Sequence, residues 1–165
     1  MKIYIGIDNG VTGSIGVLDQ DGNLFYFDKT PTKESVSYVK TKIRMRTRID
    51  YPRLRTVLQL TQEGLNHPIK AFIERPMINN QYFFASISAS ASLEATIIAL
   101  ESLDIGYEYC DSKAWQKLLL PAGCTGPQLK IASRDVGVRM WPEVQGRHID
   151  CDGLLIAEWA RRMNL

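Results

Sequence analysis

The sequence predicts an α/β fold, a mixed five-stranded sheet with helices on both faces, in one domain spanning residues 1–165. Three observations predict it. Three short apolar runs near the N-terminus are separated by the turn signals Asn9-Gly10 and Asp21-Gly22, the pattern of an antiparallel meander. Two later apolar runs, at 69–73 and 105–109, alternate with segments of helical periodicity. A meander followed by alternating helices and strands makes a mixed sheet, and 165 residues suit one core.

Residues 2–7 are apolar enough for a central strand, and that strand ends at Asp8. Residues 14–18 and 24–27 supply the second and third strands. From 40 to 48 the chain reads Lys-Thr-Lys-Ile-Arg-Met-Arg-Thr-Arg, with every charge at one parity. Extended, it would point those charges to one side, as an edge strand or arm protected from aggregation by its own charge. Residues 50–65 carry Leu54, Val57 and Leu58 on one helical face, with Pro52 in the first turn. The strand at 69–73 ends at Glu74, and Pro76 discourages its continuation. A long helix rich in Ala and Ser covers 83–103, and the strand at 105–109 follows. Ser112 is placed to cap a short helix containing Lys113 and Trp115. Helices at 127–140 and 151–163 complete the chain.

Composition narrows the function classes. Hydrophobic residues make up 45% and charged residues 23%, ordinary for a globular protein. No unbroken apolar run reaches the roughly 18 residues of a membrane span, so no membrane partner is expected. The first seven residues are too short for a signal-peptide core, which places the protein in the cytoplasm of its cell, or of its host if it is viral. Cys110, Cys124 and Cys151 form no C-x-x-C pair, so neither a disulfide framework nor a zinc site is expected.

The net charge is only +2, but its distribution is uneven. Lys29, Lys33, Lys40, Lys42, Arg44, Arg46, Arg48, Arg53 and Arg55 share their segment with only two acids, Glu34 and Asp50. Such a segment suits a polyanion, although charge runs are commonly solvated surface. Lys42, Arg44, Arg46 and Arg48 are the candidate phosphate contacts.

The acids carry the chemistry. Asp8 and Glu74 each end an apolar strand. If those strands are neighbours, the two carboxylates meet at one sheet edge and repel, and a divalent cation between them removes that penalty. Oxygen ligands of this kind suit magnesium or manganese. Asp152 leads the apolar C-terminal helix, a position an acid also takes simply to favour a helix N-terminus. His148, four residues earlier, shares a face with Asp152 if the helix begins early enough. Asp150 points elsewhere on a regular helix, but not in an irregular first turn.

At these positions the chain resembles a family. Ile5-Gly6-Ile7-Asp8-Asn9-Gly10 looks like the G-I-D-x-G strand motif of RuvC-type Holliday junction resolvases, in the ribonuclease H-like superfamily. Phe72-Ile73-Glu74-Arg75-Pro76 resembles the family's second motif, an apolar strand ending in a catalytic Glu. Asp152-Gly153-Leu154-Leu155-Ile156-Ala157 resembles the final D-A-L-x-I-A helix, with Gly in place of Ala. Between them, Ser112-Lys113-Ala114-Trp115-Gln116-Lys117 and the helix from Lys130 to Pro142 look like the phage-type branch. The motifs span nearly the whole chain in the family's order. One position departs. The family places a fourth ligand, Asp or His, about three residues before the last Asp, and here that residue is Ile149. His148 is the first choice for the role and Asp150 the second.

The resemblance implies a ribonuclease H-like fold and a nuclease that resolves four-way DNA junctions by hydrolysis, leaving 5′-phosphates. It implies two magnesium ions per site, or manganese, about 3.5–4 Å apart. Asp8 would bridge both, with Glu74 on one and Asp152 with His148 or Asp150 on the other. Lys113, Lys117 and Lys130 are further DNA-contact candidates. Two symmetric cuts imply a homodimer, paired through the helix that opens Phe83-Phe84-Ala85-Ser86-Ile87. That helix is apolar on two sides, and Ser88 and Ser92 are expected on the outer one. Three alternatives stand beside this reading. One is a related nuclease acting on RNA–DNA hybrids or flaps. Another is a non-catalytic junction-binding module. The third rests on Asp8-Asn9-Gly10-Val11-Thr12-Gly13, which also resembles the phosphate hairpin of sugar kinases and actin-like ATPases. Those proteins need two lobes, and this chain has room for about one, so no nucleotide cofactor is expected.

Overall fold

A computed structural model of the chain describes residues 1–37, 45–65 and 67–165. Lys40, Lys42 and Arg44 therefore lie outside the described residues. The main sheet has five strands in the order β3-β2-β1-β6-β7: β1 is Ile3–Ile7, β2 Ser14–Asp19, β3 Leu24–Lys29, β6 Ile69–Glu74 and β7 Gly106–Cys110. The first three form the antiparallel meander, while β6 runs parallel to β1 and β7 parallel to β6. The mixed five-stranded sheet is thus as predicted.

Alternation along the strands assigns the two faces. Ile3, Ile5 and Ile7 of β1, with Ile15, Val17, Ala71 and Ile73, form one core under α1 (Tyr51–Leu65) and α2 (Phe83–Glu101). Tyr4, Leu18, Phe27 and Phe72 form the other, under α3 (Ser112–Leu119), α4 (Pro127–Met140) and α5 (Asp152–Arg162). Central strands buried on both faces read as apolar runs, which is why β1, and β6 apart from Lys70, were legible.

Glycines set the position of α5. A Cβ on Gly6 would lie 2.1 Å from Gly153 O and 2.4 Å from Ala157 N, and one on Gly16 would lie 2.5 Å from Leu154 Cα. A Cβ on Gly153 itself would meet Ser14 O at 2.5 Å. The helix backbone rests directly on the backbones of β1 and β2, with no room for a methyl group. This accounts for Gly153 where the family motif has Ala.

Four details differ from expectation. The basic stretch does form a strand over its described end, β5 (Met45–Ile49), but β5 pairs with a strand the sequence did not reveal, β4 (Thr32–Val36). The two make a separate antiparallel hairpin. Helix α3 begins with Ser112 itself, and the residue flanking it is Asp111, which makes no side-chain cap. Helix α5 begins only at Asp152, so His148 and Asp152 share no helical face. Finally, Ser92 is not on the outer side of α2. It is 3% exposed and lies with Thr96, Ala99 and Leu100 on the buried side.

The N-terminal half of α2 is open. Phe83 and Phe84 are 62% and 76% exposed, beside exposed Met77, Ile78 and Tyr82. By length and composition α2 is apolar enough to cross a membrane. Serines and Glu94 interrupt it, so it contains no unbroken apolar run of that length. Its C-terminal half packs into the protein's own core.

Candidate metal centre at the sheet edge

Ile7 pairs with Ile73, so the residues that follow, Asp8 and Glu74, stand side by side at one edge of the sheet. The Asp8 N–H donates to Ser14 O at 3.0 Å, closing the turn into β2. Ser14 also reaches the third element: the Gly153 N–H donates to Ser14 Oγ at 3.0 Å. One residue thereby ties the start of α5 to the edge that carries Asp8.

The result is a compact acidic cluster. Carboxylate oxygens of Asp8, Asp150 and Asp152 lie within 4.8 Å of one another. Glu74 stands beside them, its Oε2 accepting from Trp115 Nε1 at 3.0 Å. A buried indole N–H needs an acceptor, and α3 delivers it to this carboxylate. Asp150 is fully buried, and its oxygens are occupied on three sides. Lys130 Nζ lies 2.6 Å from Oδ2, His148 Nδ1 lies 3.3 Å from Oδ1, and the Asp152 N–H donates to Oδ1 at 3.3 Å.

The protonation energetics follow from crowding. Burial, then the charges of Asp152 and Glu74, push Asp8 up to about 7. Burial also pushes Glu74 up to about 7; the Trp115 hydrogen bond opposes this and the Asp152 charge adds to it. Asp152 is raised by burial and by Asp150, against Ser133 and Lys130. Asp150 goes the other way. Burial disfavours its charge, but hydrogen bonds from His148 and Lys130 prevail and hold it below the usual carboxylate range. The hydrogen bond to Asp150 raises His148 against the opposing effect of burial. Lys130 is raised too: burial opposes its charge, and Asp150 and Asp152 outweigh it.

These residues fit a divalent cation. The donors are all oxygen, which suits a hard ion. Asp8 and Glu74 are poised to ionise when positive charge arrives. Lys130, 2.6 Å from Asp150 and 3.5 Å from Asp152, supplies the cluster's nearest compensating charge. Asn9 Oδ1, next to Asp8, is buried without a hydrogen-bond partner among the described residues, a further oxygen donor beside the cluster.

Of the predicted site residues, the structure gathers Asp8, Asp150 and Asp152 in the cluster and sets Glu74 beside them. His148 reaches the cluster through Asp150. Lys130, expected to face DNA, is bound to the acids, half exposed. Sequence reasoning missed this because 20 residues separate Lys130 from Asp150 and α4 must fold over to join them. Gly137 makes that approach possible, since a Cβ there would meet Cys151 Sγ at 2.4 Å. Lys113 and Lys117 lie exposed on α3, and Arg46 and Arg48 on β5. Arg48 pairs across the hairpin with Lys33, and Arg46 with Ser35. A cleft opens at the acids, lined by Asp8, Asn9, Glu74 and Arg75 on one side and by Tyr82, Ala85, Ser86 and Ala89 on the other.

The fold is one already seen. A structure of T. thermophilus RuvC in complex with a Holliday junction substrate matches with a TM-score of 0.61 at 13% identity, covering 99% of this chain and 96% of that one. A Thermus thermophilus RuvC structure matches with a TM-score of 0.52 at 16% identity, covering 98% and 96%. No protein-family model matches the chain, and neither does any curated protein sequence. The ribonuclease H-like fold is therefore the observed one.

Proposed function

We propose that this chain is a divalent-metal-dependent endonuclease that resolves four-way DNA junctions by paired phosphodiester hydrolysis. One observation carries the reading: the edge of a RuvC-like sheet gathers Asp8, Asp150 and Asp152, with Glu74 beside them. Magnesium or manganese, two ions per site, would be held by Asp8, Glu74 and Asp152, with His148 or Asp150 as fourth ligand. Bound there, the metal supplies Lewis-acid polarisation of a phosphoryl oxygen and a water of lowered pKa.

The chain's own residues do the positioning. Backbone contact between α5 and β1 holds Asp152 against Asp8, so the ligand oxygens need no large rearrangement. Trp115 fixes one oxygen of Glu74. Lys130 offsets part of the repulsion between Asp150 and Asp152. Arg46 and Arg48 of the hairpin, with Lys42 and Arg44 of the same segment, would bind phosphates, as would Lys113 and Lys117 on α3. The exposed apolar half of α2 would pair two copies, giving the two-fold arrangement that symmetric cuts require.

A panel of end-labelled substrates tests the reading: four-way junction, flap, RNA–DNA hybrid and linear duplex. Junction cleavage in magnesium, with paired symmetric nicks and little cutting of linear duplex, is expected. Cleavage of hybrid or flap with the junction left intact moves the protein to another activity of the superfamily. Metal-independent junction binding without cleavage makes it a binding module.

A further inference from the structure

We propose that His148 is a positioning residue that holds the Asp150 carboxylate through Nδ1 and makes no contact with the bound cation. The inference rests on the metal-nuclease reading above and assigns Asp150, of the two neighbouring residues, to the metal.

The geometry distinguishes them. Asp150 belongs to the group of three whose ligand oxygens lie within 4.8 Å, together with Asp8 and Asp152. His148 stands behind it. Its Nδ1 lies 3.3 Å from Asp150 Oδ1 and 3.3 Å from the Asp150 carbonyl oxygen, so the imidazole is folded back onto the residue two places ahead. Its side chain is only 9% exposed, and Phe27 meets the ring edge to face at 6.4 Å, with planes at 89°. The ring is packed between β3 and Asp150. The Asp150 N–H also lies 3.4 Å from Nδ1, but an ionised carboxylate only accepts hydrogen bonds, so pairing with Oδ1 favours the tautomer in which Nδ1 carries the proton.

Chain direction explains why the pair falls this way. Helix α5 starts at Asp152, so residues 148–151 are irregular and the helical spacing that favoured His148 does not apply. In this turn the Asp152 N–H donates back to Asp150 Oδ1, which fixes the Asp150 side chain at the helix start. With Lys130 on Oδ2, Asp150 is held on three sides. Ligating carboxylates are commonly oriented by hydrogen bonds from outside the metal site, and losing such a partner weakens metal binding about 10–100-fold. His148 fits that outer position.

Manganese is the probe, because pulsed electron paramagnetic resonance detects a directly bound imidazole nitrogen. The chain has two histidines, and His67 precedes β6 at the opposite edge of the sheet, so any such signal at this site reports His148. The wild-type protein with Mn2+ is expected to show no directly bound nitrogen. His148→Ala should weaken Mn2+ binding in calorimetry about 10–100-fold while circular dichroism stays unchanged. His148→Asn, whose amide nitrogen sits where Nδ1 does, should recover most of that loss. His148→Gln, which places its amide nitrogen at the Nε2 position, should not. A nitrogen coupling in the wild type that disappears in His148→Ala overturns the proposal and leaves the metal-nuclease reading intact. Unchanged Mn2+ affinity in His148→Ala also overturns it. Failure of the wild type to bind Mn2+ at all removes both.

Discussion

Helices α5 and α2 both begin at the edge that carries the acids, yet they are built on opposite terms. Residues Gly153 to Glu158 and Ala160 of α5 are buried, and its backbone touches β1 and β2 without intervening side chains. In α2 the buried residues Ser92, Thr96, Ala99 and Leu100 all lie in the C-terminal half, and the first turns present Phe83 and Phe84 to solvent. One helix is fixed where it brings Asp152 to Asp8. The other leaves an apolar surface open among the described residues. Under the proposed function the two helices divide the work: α5 keeps the acids close, and α2 would supply the surface for pairing.

The sharpest way to break the comparison is to put a side chain under α5. Gly6→Leu forces a Cβ to 2.1 Å from Gly153 O, a backbone atom that cannot swing away. It should cost at least about 3 kcal/mol, the upper end of ordinary overpacking, measured by urea denaturation. Ser90→Arg on the exposed side of α2 should change the stability of a single copy by no more than about 0.5 kcal/mol. Equal costs at the two positions would remove the distinction.

The next effect is catalytic. Asp8→Asn should lower junction cleavage in magnesium more than about 100-fold, beyond the loss typical of an outer-sphere partner. Binding in calcium should be largely kept. The same variant tests the electrostatics. Asp8 and Glu74 are raised to about 7 from ordinary values of 3.8 and 4.5. Between about pH 4 and 7 the folded protein therefore holds protons that the unfolded chain has released. In chelator, stability should fall as pH rises through that window, and divalent metal should restore it. Asp8→Asn removes one of the repelling charges, so in chelator at pH 8 its melting temperature should exceed that of the wild type. A lower one contradicts the account of repulsion at this edge.

A smaller effect sharpens the α2 side. Phe84→Arg should give a folded protein that sediments as a monomer at micromolar concentration and nicks junctions singly. Wild-type protein that remains monomeric with junction present refutes pairing through α2. Smallest of all, Arg48→Ala should weaken binding to every DNA alike and reduce the slope of log K against log salt by about 1. An unchanged slope would make the hairpin plain solvated surface.

The acids at strand ends were legible because their strands are apolar on both faces and stop abruptly. The hairpin was only half legible. Thr32-Lys33-Glu34-Ser35-Val36 lacks any apolar alternation, since both faces of β4 remain partly open to solvent. Ser92 misled because a small hydroxyl residue reads as surface. In the structure its carbonyl accepts from the Thr96 hydroxyl inside the core, where small side chains let the helix lie close. The region before α5 was misread by periodicity, which supposes a helix where there is a turn. Lys130 was read as a DNA contact and Trp115 only as part of a short helix, because nothing local ties either to the acids. Both reach the acids from helices packed over the sheet, and only the tertiary fold brings them there.

Trp115 has one more consequence. Its ring is 1% exposed and its N–H is tied to Glu74 Oε2. An excited indole is sensitive to the charge on its hydrogen-bond acceptor, so the colour and yield of its emission are coupled to whether Glu74 carries a proton, a bare charge or a neutralising neighbour. The protein holds a native optical gauge at its acidic edge. With Trp141 and Trp159 replaced by Phe, titrating acid or manganese into the cuvette would let the light from a single residue follow the filling of the site in real time.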